Sequence, residues 1–230
     1  MSLNPLSSGI DWVAHRMKSM HEPIKVGGTV PDVKLSRLAP DGKTVEHFST
    51  KKELSEGFAA LFFMQKAFTA VSSDEHLPSL NKTAEVFKNQ NIKMFCLAIN
   101  TRDEMFAWGK QYHADPWIKM IPDFLGDFTY FTGLGVNKSG WRQLGFVAKP
   151  AAIFLYNGKV LDVRIEEDFG KCSDKSSAEG LLARIPSILK ANNLTLELGD
   201  FELIETNDSD TAYLLQLLKK ADETLKNIIS

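Results

Sequence analysis

The run Ala59-Ala60-Leu61-Phe62-Phe63-Met64, followed after Gln65-Lys66 by Ala67-Phe68-Thr69-Ala70-Val71-Ser72-Ser73-Asp74-Glu75-His76-Leu77-Pro78, decides how the chain folds. Six apolar residues in succession read as a buried strand. Ser79 to Asn89 reads as a helix, so a Thr-containing turn joins strand to helix. Such a junction brings side chains and free backbone N–H groups to one point. Ser72 stands there, in the place suited to a nucleophile. The plainer reading is that Ser72 caps the helix, with Ser-Ser-Asp-Glu as capping chemistry.

Working outward, Ile92 to Asn100 is a second almost wholly apolar strand, the kind that suits a sheet covered on both faces. Thr101 caps a helix running to about Tyr112, and Lys119 to Asp123 is a short strand. Asp127 to Leu134 reads as a helix and Asn137 to Lys149 as a loop rich in aromatic and basic residues. Ala151 to Tyr156 and Lys159 to Ile165 flank Asn157-Gly158, a strong hairpin signal. Ser177 to Ala191 is an amphipathic helix. Upstream, Val30 to Leu35 and Val45 to Phe48 read as strands around the turn Ala39 to Lys43, and Ser49 to Leu54 as a capped first helical turn. The pattern predicts an α/β protein with a central mixed β-sheet flanked by helices. Three parts are expected: an N-terminal extension (1–21), a core domain (22–192) and a C-terminal extension (193–230). The last holds two short strands and an amphipathic helix from Ser209 to Ile229.

Composition narrows the function classes. A chain of 230 residues with a net charge of −2 and a pI near 6.2 does not suit a general nucleic-acid binder. No apolar stretch is long enough to span a membrane. The first twenty residues lack a secretory signal pattern, and Asp11 weakens an organellar one, so cytoplasm is the default expectation. Two cysteines, Cys96 and Cys172, make no disulfide framework. The five histidines show no metal-ligand spacing, and neither a metal nor another cofactor is expected.

From Pro23 to about Ile185 the chain resembles the peroxiredoxins, specifically the type II, peroxiredoxin-five-like, atypical two-cysteine branch. The residues that carry the resemblance are Pro23 to Gly27, Ala67-Phe68-Thr69, His76-Leu77-Pro78 and Cys96 to Asn100. Trp108-Gly109-Lys110, Asp123 to Phe128, Gly133 to Val136, the Asn157-Gly158 hairpin and Ser176 to Glu179 follow in order. The resemblance implies a thioredoxin-like fold and thiol-dependent peroxidase chemistry. The family's active site resembles Pro-Gly-Ala-Phe-Thr-Pro-x-Cys, which here reads Gln65-Lys66-Ala67-Phe68-Thr69-Ala70-Val71-Ser72. Thr69 matches, Ser72 replaces the peroxide-attacking cysteine, and both prolines are absent. Where the family places an arginine before the hairpin, this chain has Pro150, beside Lys149.

A serine hydroxyl has no sulfenic acid cycle, so Ser72 cannot stand in for a thiolate in peroxide reduction. An introduced Cys→Ser change would account for Ser72 but not for Gln65, Ala70 and Pro150; natural divergence is the favoured reading. Cys172 resembles the branch's resolving cysteine, and a plain surface thiol is the alternative. Lys171 and Lys175 would lower its pKa from about 8.5, while Asp168 and Asp174 oppose them. Cys96, mid-strand, reads as an inert core residue. His76 reads as a local hydrogen-bonding residue.

Three readings remain at this stage. One is a peroxiredoxin-like pseudoenzyme acting as a binding module. The second is an active thiol peroxidase acting on hydrogen peroxide or alkyl hydroperoxides, and the third a hydrolase using Ser72. Expected partners are a second copy of the chain and a thiol-bearing protein. Trp117, Trp141, Phe124, Phe128, Tyr130 and Phe131 are candidates for an interface or for the core.

Overall fold

The computed structural model describes residues 21–138, 145–168 and 170–196. Strands β1 (Lys34–Leu38) and β2 (Val45–Ser49) form an antiparallel pair. The principal sheet is built from β3 (Phe58–Phe63), β4 (Ile92–Ala98), β5 (Ile118–Pro122), β8 (Ala151–Tyr156) and β9 (Lys159–Ile165). Its order is β5-β4-β3-β8-β9, with β3, β4 and β5 parallel and β8 and β9 antiparallel to their neighbours. The helices are α1 (Thr50–Glu53), α2 (Leu77–Asn89), α3 (Arg102–Gln111), α4 (Asp127–Phe131) and α5 (Ala178–Asn192). This is the mixed sheet between helices that the sequence predicts.

The all-apolar β3 sits at the middle because both of its faces are covered. Phe58, Ala60 and Phe62 point into one core with Leu77, Leu80 and Phe87 of α2, Trp108 of α3 and Leu181 and Ile185 of α5. Ala59, Leu61 and Phe63 point into the other, with Leu35, Leu54, Phe128 and Leu134. The strand period of two divides six apolar residues equally between two layers.

Several local expectations are corrected. Val30 to Val33 are not strand; β1 begins at Lys34. Asn137 to Lys149 is not simply a loop. Strands β6 (Gly135–Lys138) and β7 (Gly145–Ala148) pair antiparallel, with Val136 opposite Val147. Phe146 packs so closely on Gly126 and Gly135 that a Cβ at either glycine would collide with its ring. The aromatic content there is packing, which a polar-loop reading overlooks. Asn157 and Gly158 both adopt positive φ (49° and 76°), as a tight two-residue hairpin turn requires. The helix expected from Ser209 to Ile229 lies outside the described residues.

Candidate functional site

After Phe63 the chain leaves the sheet through a loop pinned to its neighbours. Met64 N–H donates to the Leu97 carbonyl at 2.8 Å, and Ala67 N–H to Asn100 Oδ1 at 2.8 Å. Asn100 in turn donates to Glu104, which completes a capping box with Thr101 at the start of α3. Phe68 is held at φ 62°, an unusual conformation for a bulky residue, and its ring stays half exposed against Tyr112.

The helical run then begins earlier than the sequence suggests. Instead of starting at Ser79, α2 is preceded by a wide π turn, Ser72–His76, in which Leu77 N–H reaches back to the Ser72 carbonyl. Pro78 explains the turn. It has no N–H for the Asp74 carbonyl, and its ring crowds that carbonyl, so the backbone widens. Ser72 is therefore inside a helical run, and no cap hydrogen bond from its side chain is formed; Ser73 N–H already bonds the Thr69 carbonyl at 2.9 Å. The capping role expected for Ser72 is not observed.

Thr69 and Ser72 are brought together. Thr69 Oγ1 lies 3.0 Å from the Lys66 carbonyl and 2.8 Å from Ser72 Oγ. Ser72 is fully buried. Next to it, Ser73 Oγ accepts from the Trp108 indole N–H at 3.0 Å. His76 is also buried, and neither ring nitrogen has a hydrogen-bond partner among the described residues. The Lys171 main chain is its local hydrogen-bonding neighbour, without a well-formed bond. Ser72 has neither a bonded base nor contact with solvent, which removes the hydrolase reading.

Cys172 lies against this turn rather than on an open surface. Its N–H donates to Glu75 Oε2 at 3.2 Å, and its side chain is half-buried beside the Ser176 hydroxyl. Burial, then the charges of Glu75, Glu179 and Glu166, push the thiol up to about 12. The flanking lysines expected to activate it are outweighed by carboxylates from three other elements. At neutral pH Cys172 is thereby held as the thiol, whereas a free cysteine is a few per cent thiolate. Burial pushes Cys96 up as well, in line with an inert core residue.

Glu166, at the end of β9, organises the Cys172 loop. Its Oε1 accepts from Ser173 N–H at 2.9 Å, Ser173 Oγ at 2.6 Å and Ser176 Oγ at 2.7 Å. Burial would raise its carboxyl, but these bonds and the Lys175 charge outweigh that and hold it below the ordinary value. Its own N–H donates to the Pro150 carbonyl at 2.9 Å. Pro150 is buried and brings no charge to the place where the resemblance implies an arginine.

A separate open cleft of about 370 Å³ lies at the carboxyl ends of β4 and β5, lined by Leu35, Thr101, Arg102, Phe124 and Leu125 among others. It does not include Thr69, Ser72 or Cys172. Among the described residues, no three His, Cys, Asp or Glu side chains are grouped to hold a metal ion, and no helix is long and apolar enough to cross a membrane. Of the clustered aromatics, Phe128 and Tyr130 are core, whereas Phe124 and Phe131 are exposed. Trp141 lies outside the described residues.

Comparison with known proteins agrees with this architecture. The redoxin family matches residues 25–182. Peroxiredoxin-2D of Arabidopsis thaliana is 30% identical over 161 residues, covering 70% of this chain and 97% of the relative. A peroxiredoxin of Synechocystis is 34% identical over 145 residues, covering 58% of this chain and 71% of its own length. Among solved structures, reduced Prx3 of Vibrio vulnificus in complex with hydrogen peroxide superposes with a TM-score of 0.64 at 27% identity, covering 70% of this chain and 99% of the other. Peroxiredoxin 5 of Alvinella pompejana gives a TM-score of 0.58 at 26% identity, covering 73% and 99%.

Proposed function

This chain belongs to the redoxin family as a peroxiredoxin, and we propose that within it the chain works as a binding module that has given up cysteine-based peroxide reduction. The observation that carries the reading is the pair Thr69–Ser72: two hydroxyls bonded to each other, with Ser72 fully buried, where the family resemblance implies an accessible thiolate. Peroxide reduction moves an oxygen from the peroxide to sulfur and then needs a thiol to reduce the sulfenic acid. Ser72 offers no sulfur, and both remaining thiols are held protonated.

The residues we assign to binding are the exposed apolar side chains Phe68, Phe124, Leu125 and Phe131. Large apolar side chains left in water favour association, and we propose a second copy of this chain as the occupant. The reading is tested by titrating thiols with and without added hydrogen peroxide. Two slow thiols whose number is unchanged by peroxide support it. One fast thiol lost in proportion to peroxide overturns it and makes Cys172 the first residue to replace.

A further inference from the structure

His76 is a buried imidazole that the fold does not satisfy. It is 1% exposed, and neither ring nitrogen has a hydrogen-bond partner among the described residues. Buried polar atoms are ordinarily paired, and an unpaired one points to strain or function. The charges of Glu166, at the end of β9, and of Glu75, in the same π turn, act on it, and the Lys171 main chain, in the loop that carries Cys172, is its one hydrogen-bonding neighbour, without a well-formed bond. Lys175 acts on Glu166, and Glu179 of α5 acts on Cys172.

Both carboxylates facing His76 already have a task, which is holding that loop. Glu75 accepts from Cys172 N–H, and Glu166 accepts from the Ser173 backbone and hydroxyl and from Ser176. A proton taken from solvent would make both ring nitrogens donors and place a positive charge inside the protein, a costly arrangement without acceptors. Beside the Lys171 carbonyl, the groups able to answer that charge are the carboxylates Glu75 and Glu166, and answering it takes them from the loop.

We propose that His76 is an acid-sensitive latch: its protonation withdraws Glu75 and Glu166 from the 171–176 loop, which lifts and exposes Cys172. The direction agrees with the electrostatics. Burial holds His76 below its ordinary value, with Glu166 and Glu75 opposing. The open form, with a solvated imidazole near 6.5, therefore binds the proton more tightly, and acid shifts the balance to it by up to about tenfold per pH unit. The inference does not depend on the binding-module reading.

The test uses the full chain and 4,4′-dithiodipyridine, which reacts with thiols in acid, with the labelled cysteine identified by peptide mapping. Relative to a small-thiol reference, Cys172 should react faster at pH 5 than at pH 7.5, and His76→Leu should abolish the difference. A flat wild-type response, or an acid rise retained in His76→Leu, overturns the proposal. If His76→Leu does not fold, NMR of the unaltered protein decides. The His76 imidazole and the protection of the Cys172 and Ser173 amides should titrate with one midpoint, and separate midpoints overturn the latch.

Discussion

Thr69 Oγ1 and Ser72 Oγ lie 2.8 Å apart, while Thr69 Oγ1 also reaches the Lys66 carbonyl at 3.0 Å. A threonine hydroxyl carries one proton, so both contacts are met when Thr69 donates to the carbonyl and accepts from Ser72. The two substitutions then differ in cost. Ser72→Ala removes one hydrogen bond and leaves Thr69 satisfied, for about 1 kcal/mol of stability. Thr69→Val strands a buried Ser72 hydroxyl and should cost more, about 1–3 kcal/mol. Urea denaturation of both variants checks the order; equal losses would contradict it.

The Trp108 indole N–H depends on Ser73 Oγ, since both groups are buried. Ser73→Ala should cost about 1–3 kcal/mol by leaving the indole donor unpaired. Replacing both partners, as in Ser73→Ala with Trp108→Phe, should recover part of that loss in a double-mutant cycle. Strictly additive losses would show that the bond contributes nothing.

Glu166 predicts an acid limb separate from the His76 latch. A carboxyl whose folded pKa lies below its unfolded value contributes stability that is present above the unfolded value, near 4.3, and is lost as pH falls through the folded one. Glu166→Gln should lower stability at pH 7 and flatten its decline below pH ~4.3. Melting temperatures between pH 7 and pH 3 read both effects. An unchanged acid slope in the variant would sink the assignment.

The exposed residues Phe124 and Phe131 should control self-association. Sedimentation velocity is expected to show a dimer for the unaltered chain and a monomer for Phe124→Glu with Phe131→Glu, with little change in melting because neither side chain is core. Identical sedimentation of the two proteins would rule out these two residues as the interface.

How much of this was legible beforehand depends on what each residue answers to. The six-residue β3 was readable because an unbroken apolar run has few other uses, and Asn157-Gly158 because that pair suits positive φ. The helix after the junction was misjudged because Pro78 usually marks a helix start, whereas here the backbone passes it through a π turn. The β6–β7 hairpin was hidden by short strands and masked by aromatic residues whose role is packing on glycine. At the site, the family resemblance implies a cysteine where Ser72 stands and an arginine where Pro150 stands, and the sequence shows neither. The surroundings of Cys172 were not. Lys171 and Lys175 adjoin it in sequence, but Glu75, Glu166 and Glu179 reach it only through the fold.

The most direct test is hydrogen-peroxide consumption by the purified protein with dithiothreitol as reductant, run beside Ser72→Cys with Pro150→Arg. The account predicts no turnover above the buffer blank for the unaltered chain, and turnover in the double variant once a thiol and a cation stand at positions 72 and 150. Peroxide turnover by the unaltered chain would contradict the central claim.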